Sequence, residues 1–181
     1  TKEFVEKELD PHRDQFEKKD YQLTEDCMKK AGELGLLGIS VPAEYGGMDM
    51  PFNTSVLICD KISGANGSFS TAFGAHTGIG TLPILLYGND TQRKKYLPKL
   101  STGEWMGCYC LTEPGAGSDA NSGKTKAVLT KDSKHYLITG QKMWISNAGF
   151  ADIFIVFARI ENDKNITGSV SYTHLTLPTN R

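Results

Sequence analysis

The sequence contains no run of 18 uncharged apolar residues, which excludes a membrane-spanning helix of ordinary length. Neither sign of charge is in excess. Lysine and arginine number 20 against 21 aspartates and glutamates, a formal net charge of −1. Nucleic-acid binding leaves a basic patch or stripe, and none is visible. Cysteine is sparse. Cys27, Cys59, Cys108 and Cys110 form no Cys-x-x-Cys pair and have no histidine at zinc spacing, so reduced, mostly buried thiols and no metal are expected. There is no internal repeat and no low-complexity tract. The chain opens on Thr1 rather than methionine, so earlier residues, and any targeting segment among them, are expected to be missing. What is present is ordinary globular composition: 181 residues, 39% hydrophobic and 23% charged, enough for one sizeable domain or two small ones.

The first hundred residues read as helices. Asp10-Pro11 suits an N-cap followed by the first helical position and predicts a helix to about Lys19. Thr24 is expected to cap the next helix. Glu25 and Asp26 follow in its first turn, and Leu23 and Met28 sit at staple positions. Gly35 should end it. "GLLGISVPAEYGG", residues 35–47, is too glycine-rich to stay helical and reads as a buried connector that contains Glu44 and Tyr45, both expected to pack or cap. Asn53 is expected to cap a helix carrying Val56, Leu57, Cys59 and Ile62. Residues 68–87 are small and apolar, with Gly74, Gly78 and Gly80 allowing close packing and His76 among them as a packed histidine. Pro83 should kink this helix or start a new one, and Pro98 should break the short helix that follows.

From about Gly103 the texture changes. "WMGCYCL", "KTKAVLT", "HYLITG", "QKMWIS" and "DIFIVFARI" are short runs rich in β-branched and aromatic residues, separated by turn signals, an antiparallel pattern. The expected class is α+β: a helical domain over 1–103 and the start of an antiparallel, barrel-like β-domain over 104–168.

"YCLTEPGAGSD", residues 109–119, holds Pro114, Gly115, Gly117, Ser118 and Asp119 within six positions. Glycine lets a flat ring or phosphate approach the backbone, and Pro114 keeps Glu113 extended. Successive N–H groups could then converge on an anion or a carbonyl oxygen. A structural β-turn explains the same residues. Glu113 is the only carboxylate at the heart of this stretch and has no evident acid–base partner, so a local structural role is expected. In "QKMWISNAGFAD", residues 141–152, Trp144 and Ser146 share strand parity and should project from one face. They could flank a planar ligand, or form a core tryptophan beside a strand-end serine.

Taken together, "GLLGISVPAEYGG", "GNDTQRKKYLPKLSTGEW", "YCLTEPGAGSDANSGKTKA" and "ITGQKMWISNAGFADIFIVFARI" resemble the acyl-CoA dehydrogenase family over roughly residues 20–168. "SNAGFADIFIVFA" resembles its long- and very-long-chain branch. The resemblance implies an N-terminal helical domain, a middle β-domain and a C-terminal four-helix bundle, of which this chain holds the first and part of the second. It implies α,β-dehydrogenation of a fatty acyl-CoA thioester, FAD as cofactor, electron-transfer flavoprotein as acceptor and a homo-oligomer for the full-length enzyme. Tyr109, Cys110, Leu111, Thr112, Glu113, Pro114, Gly115, Ala116, Gly117 and Ser118 then correspond to the strand and loop that hold the isoalloxazine. Thr112 is expected at its pyrimidine edge and Ser118 also at the acyl-CoA. Trp144, Ile145 and Ser146 form the opposing wall, with the Ser146 hydroxyl near N5. The family's catalytic glutamate lies in the bundle, so no catalytic residue is expected here. An acyl-CoA oxidase-like enzyme and a non-catalytic flavin- or CoA-binding module are the alternatives. The family implies a cytoplasmic location in a bacterium and the mitochondrial matrix in a eukaryote. After Gly168 the resemblance stops, and residues 169–181, "SVSYTHLTLPTNR", are expected to be a non-native tail.

Overall fold

The computed structural model describes residues 1–171. The chain begins with a helical turn α1 (Lys2–Phe4), a π-turn over Val5–Leu9, a 3-10 turn at Asp10–His12 and a short helix α2 (Arg13–Glu17). Its apolar side chains serve one cluster. Phe4 and Phe16 lie 5.9 and 5.8 Å from the ring of Phe69, and Leu9 is fully buried.

Helix α3 (Tyr21–Glu33) starts earlier than Thr24 suggested. Lys19 turns the chain with a φ of 60°, and the Asp20 carboxylate accepts the Leu23 N–H at 3.0 Å. With that cap in place Thr24 is inside the helix, its hydroxyl donating to the Asp20 carbonyl. Gly35, at φ 74°, stops the helix as expected. Helix α4 (Phe52–Ala65) begins after Pro51, so Asn53 is an internal residue rather than its cap. The capping asparagine is Asn66, which accepts the Phe69 N–H at 2.8 Å and opens α5 (Gly67–Gly74). A π-turn over Ala75–Gly80 follows, then α6 (Leu82–Tyr87) with Pro83 in its first turn. Helix α7 (Asp90–Thr102) opens with a capping box between Asn89 and Gln92 and continues through Pro98 without a break. The proline costs roughly 3 kcal/mol in a helix interior. Tyr96, Leu97 and Leu100 are buried on this helix, and each such side chain contributes about 1.5–3 kcal/mol.

The sheet is mixed rather than wholly antiparallel. β4 (Ile153–Ile160) is its centre. Its residues 153–156 pair in parallel with β1 (Gly107–Cys110), and Arg159 and Ile160 pair in parallel with β2 (Lys126–Leu129). β2 turns back antiparallel onto β3 (Tyr136–Thr139). β5 (Ile166–Ser171) runs antiparallel along the other edge of β4. Turn signals specify local hairpins but not the direction of partners distant in sequence, which is why the parallel pairs were not legible. "QKMWIS" forms no strand: Trp144 and Asn147 have φ of 60° and 68°, and the chain curls into a turn. The expected parity of Trp144 and Ser146 on a strand therefore does not apply. Of the expected tail, residues 169–171 belong to β5, and 172–181 lie outside the described residues.

Both faces of β4 are covered, as its nearly continuous apolar sequence requires. Ile153 and Ile155 pack with Val41, Ile84, Leu97 and Leu100 from the helical part. Phe154 and Val156 pack with Cys108 and Cys110 on the reverse face. A buried histidine secures the junction: His76 Nδ1 accepts the Gly107 N–H at 3.0 Å, and Nε2 donates to the Leu100 carbonyl at 3.0 Å. Gly80 crosses Gly107 so closely that a Cβ on Gly80 would stand 2.9 Å from the Gly107 carbonyl carbon. Among the described residues no helix is long and apolar enough to cross a membrane.

Candidate ligand-binding site

β1 and β2 occupy the same edge of β4 at different heights, and residues 111–125 make the excursion between them. Pro114 and Gly115 form the corner of a tight turn in which Glu113 and Ala116 exchange both backbone hydrogen bonds at 3.1 Å. Gly115 and Gly117 are informative for what surrounds them. Neither has a left-handed φ, and a Cβ on either would meet nothing within 4 Å. Backbone shape and internal packing therefore leave both positions free for a larger residue. Gly123 and Gly140 are different: a Cβ there would lie 3.0 Å from Glu113 Oε1 and 2.7 Å from the Thr125 Cα.

The second segment lies alongside. Met143 donates its N–H to the Thr112 carbonyl at 3.0 Å. The next residue, Trp144, takes a left-handed backbone uncommon for a bulky side chain and leaves its indole 82% exposed. Strain of this kind clusters at functional sites. Ser146 is exposed, while Ile145 packs against the Cys108–Val156 cluster and anchors the turn. The turn is held from within by Asn147, whose amide donates to the carbonyls of Ala72 and Gly107 at 2.9 and 3.3 Å.

Glu113 is turned inward. Oε1 accepts from Lys142 Nζ at 2.7 Å and from the Thr125 N–H at 3.0 Å, and Oε2 accepts from the Lys124 N–H at 2.6 Å. Burial pushes its pKa up, but the Lys142 ammonium, the nearby Thr125 hydroxyl and the two backbone donors outweigh burial and bring it to about 2. It is a fixed anion and not a base poised near neutrality. Burial likewise pulls His76 down to about 4, against a smaller upward effect of its bond to Leu100.

The sequence-derived residues thus divide by direction. Thr112 is half-buried, Pro114, Gly115, Gly117 and Ser118 are exposed on the loop, and Trp144 and Ser146 stand on the adjoining turn. Leu111 contributes its carbonyl to Lys142. The side chains of Tyr109 and Cys110 point to opposite cores: Tyr109 lies 4.8 Å from the Phe157 ring, and Cys110 Sγ lies 3.9 Å from Cys108 Sγ. The Cys108 thiol is pushed up by that contact and by burial. Ala116 is buried beneath the turn. Sequence reasoning missed Lys142 and Asn147. A lysine directly ahead of the apolar run Met143-Trp144-Ile145 was the available signal for the first. The Asn-Ala-Gly turn marked the second only as a loop residue.

A separate apolar pocket of about 300 Å³ lies in the helical part, lined by Leu37, Ile39, Phe52, Ile58, Phe73 and Leu82. Gly74 and Gly78 border it and face open space.

Comparison with known proteins identifies the family. Residues 1–104 match the model of the acyl-CoA dehydrogenase N-terminal domain, and residues 108–180 match that of the middle domain. The chain belongs to the acyl-CoA dehydrogenase family. It is 50% identical over 164 residues to a probable acyl-CoA dehydrogenase of Bacillus subtilis, covering 91% of this chain and 27% of that protein. It is 39% identical over 168 residues to the mitochondrial very long-chain specific acyl-CoA dehydrogenase of Rattus norvegicus, covering 92% and 25% respectively. A crystal structure of an acyl-CoA dehydrogenase complexed with FAD from Bacillus anthracis superposes with a TM-score of 0.91 at 46% identity, covering 94% of this chain and 30% of that one. The chain therefore spans a minor part of the relatives it matches.

Proposed function

We propose that this chain is the N-terminal and partial middle region of a FAD-dependent acyl-CoA dehydrogenase acting on fatty acyl-CoA and passing electrons to an electron-transfer flavoprotein. One observation carries the reading: Met143 joins Thr112, bringing a loop with two unobstructed glycines beside an exposed indole. The residues present fit a flat cofactor. The bare backbone at Gly115 and Gly117 admits close approach, and the Trp144 ring is free to cover a second planar system.

Residues 111–118 and 144–146 hold the isoalloxazine in this reading, with Thr112 and Ser146 supplying hydroxyls and Ser118 also meeting the thioester substrate. Bound there, FAD supplies hydride acceptance from the acyl β-carbon, while the protein's own groups orient and shield it. The base that removes the α-proton lies outside these 181 residues, and the domain boundary falls near residue 103. The complete enzyme is a homo-oligomer, cytoplasmic in a bacterium or in the mitochondrial matrix of a eukaryote.

The test uses the complete protein mixed anaerobically with fatty acyl-CoA. Bleaching of the flavin band, followed by recovery on adding electron-transfer flavoprotein, is the expected result. Recovery by oxygen with stoichiometric hydrogen peroxide would instead make it an oxidase. An unchanged flavin spectrum would refute both. The 181-residue chain alone, with an artificial acceptor, is expected to give no sustained turnover.

A further inference from the structure

The Glu113–Lys142 pair is unusual in its setting. The side chains are only 7% and 8% exposed. Burying two charges is costly, and a buried pair is often replaceable by apolar residues without loss of stability. Its value here is to be sought in what it holds in place. Lys142 Nζ reaches the Leu111 carbonyl at 3.0 Å and the Glu113 carboxylate at 2.7 Å. The same carboxylate takes the N–H groups of Lys124 and Thr125. One ion pair therefore ties the root of the glycine loop, its return to β2 and the approach to the Trp144 turn. Gly123 confirms the tightness of this joint, since a Cβ there would press on Glu113 Oε1 at 3.0 Å. Two residues along from Lys142 is the exposed indole.

We propose that Glu113 and Lys142 are positioning residues for the flavin seat, setting the separation between the glycine loop and the Trp144 turn. This rests on the flavin reading above. Both side chains are turned inward and engaged with each other and the surrounding backbone, so their influence on the seat is indirect. The pair acts through the backbone of Leu111–Glu113 and Met143, and so governs how tightly, and in what environment, the ring is held.

The experiment uses the complete protein stripped of flavin, with Glu113→Gln, Lys142→Met and the double variant. FAD affinity is read by fluorescence titration, the ring environment by visible circular dichroism, and folding by the thermal midpoint of the apoprotein. Each single variant is expected to weaken FAD binding roughly tenfold to hundredfold, by analogy with the loss when groups that orient metal ligands are removed. The flavin band should change shape in both. The double variant should lose less than the product of the single losses, because the two act as a unit. Lys142→Arg should restore part of the affinity.

A role in packing alone would lower the apoprotein midpoint but leave affinity and band shape of the folded protein unchanged, and that result overturns the proposal. Wild-type protein that takes up no FAD overturns the flavin reading, and this inference with it. If the variants do not fold, hydrogen exchange of the wild type decides. The amides of Lys124, Thr125 and Met143 should gain protection together on FAD binding, and unchanged exchange rejects the clasp.

Discussion

At the scale of single residues, glycines of one sequence type do different jobs. Gly117 has space around it, so Gly117→Val should shift apoprotein stability by no more than about 0.5 kcal/mol, as for other unconstrained surface positions. Its effect should fall on FAD affinity, measured by titration. Gly140→Ala, which sets a methyl 2.7 Å from the Thr125 Cα, should cost roughly 1–3 kcal/mol in urea unfolding, the range for overpacking. The sequence showed the cluster at 113–118 because proline and glycine advertise backbone shape locally. It could not separate these glycines, whose neighbours come from elsewhere in the chain. Lys142 was hidden for the same reason, since its carboxylate partner lies in another segment. Glu113 also sets an acid limit. Its pKa is depressed from 4.5 to about 2, so its contribution is complete above 4.5 and disappears as pH falls toward 2.

At the scale of elements, the junction between helices and sheet depends on a neutral histidine. His76 titrates at about 4 in the folded chain against an ordinary 6.5. The unfolded chain takes up the proton first, so stability is complete above 6.5 and declines as pH drops toward 4. Urea midpoints measured across that range should fall, and His76→Gln should flatten the slope while lowering stability at pH 7. The Gly80–Gly107 crossing belongs to the same junction. Gly80→Ala should lower the thermal midpoint through a loss of roughly 1–3 kcal/mol, because the Gly107 backbone has no side chain to move aside. Helix existence was legible from capping residues and apolar spacing. The start of α3 differs because Asp20 competes with Thr24 as cap, and that of α4 because it begins after Pro51 with no side-chain cap at all. The helix through Pro98 was misjudged because burial of Leu97 and Leu100 is a tertiary effect.

At the scale of the whole molecule, helices and sheet share a core through Ile153 and Ile155, so the seat of the candidate cofactor is rigidly coupled to both. The β2–β3 hairpin behaves otherwise. Val128, Tyr136 and Leu137 are exposed on it, and β3 ends the sheet order among the described residues. An apolar edge of this kind invites association. The 181-residue chain should self-associate at high concentration in sedimentation velocity, and Leu137→Lys should shift it toward monomer. The detour between β1 and β2 carries a broader implication. It departs opposite Val156 and rejoins opposite Arg159 of one continuous strand, a gap of about 10 Å at the usual rise per residue. Residues 111–125 are far more chain than that gap requires. The surplus lets a candidate ring seat project from one edge while a single strand beneath keeps β1 and β2 aligned.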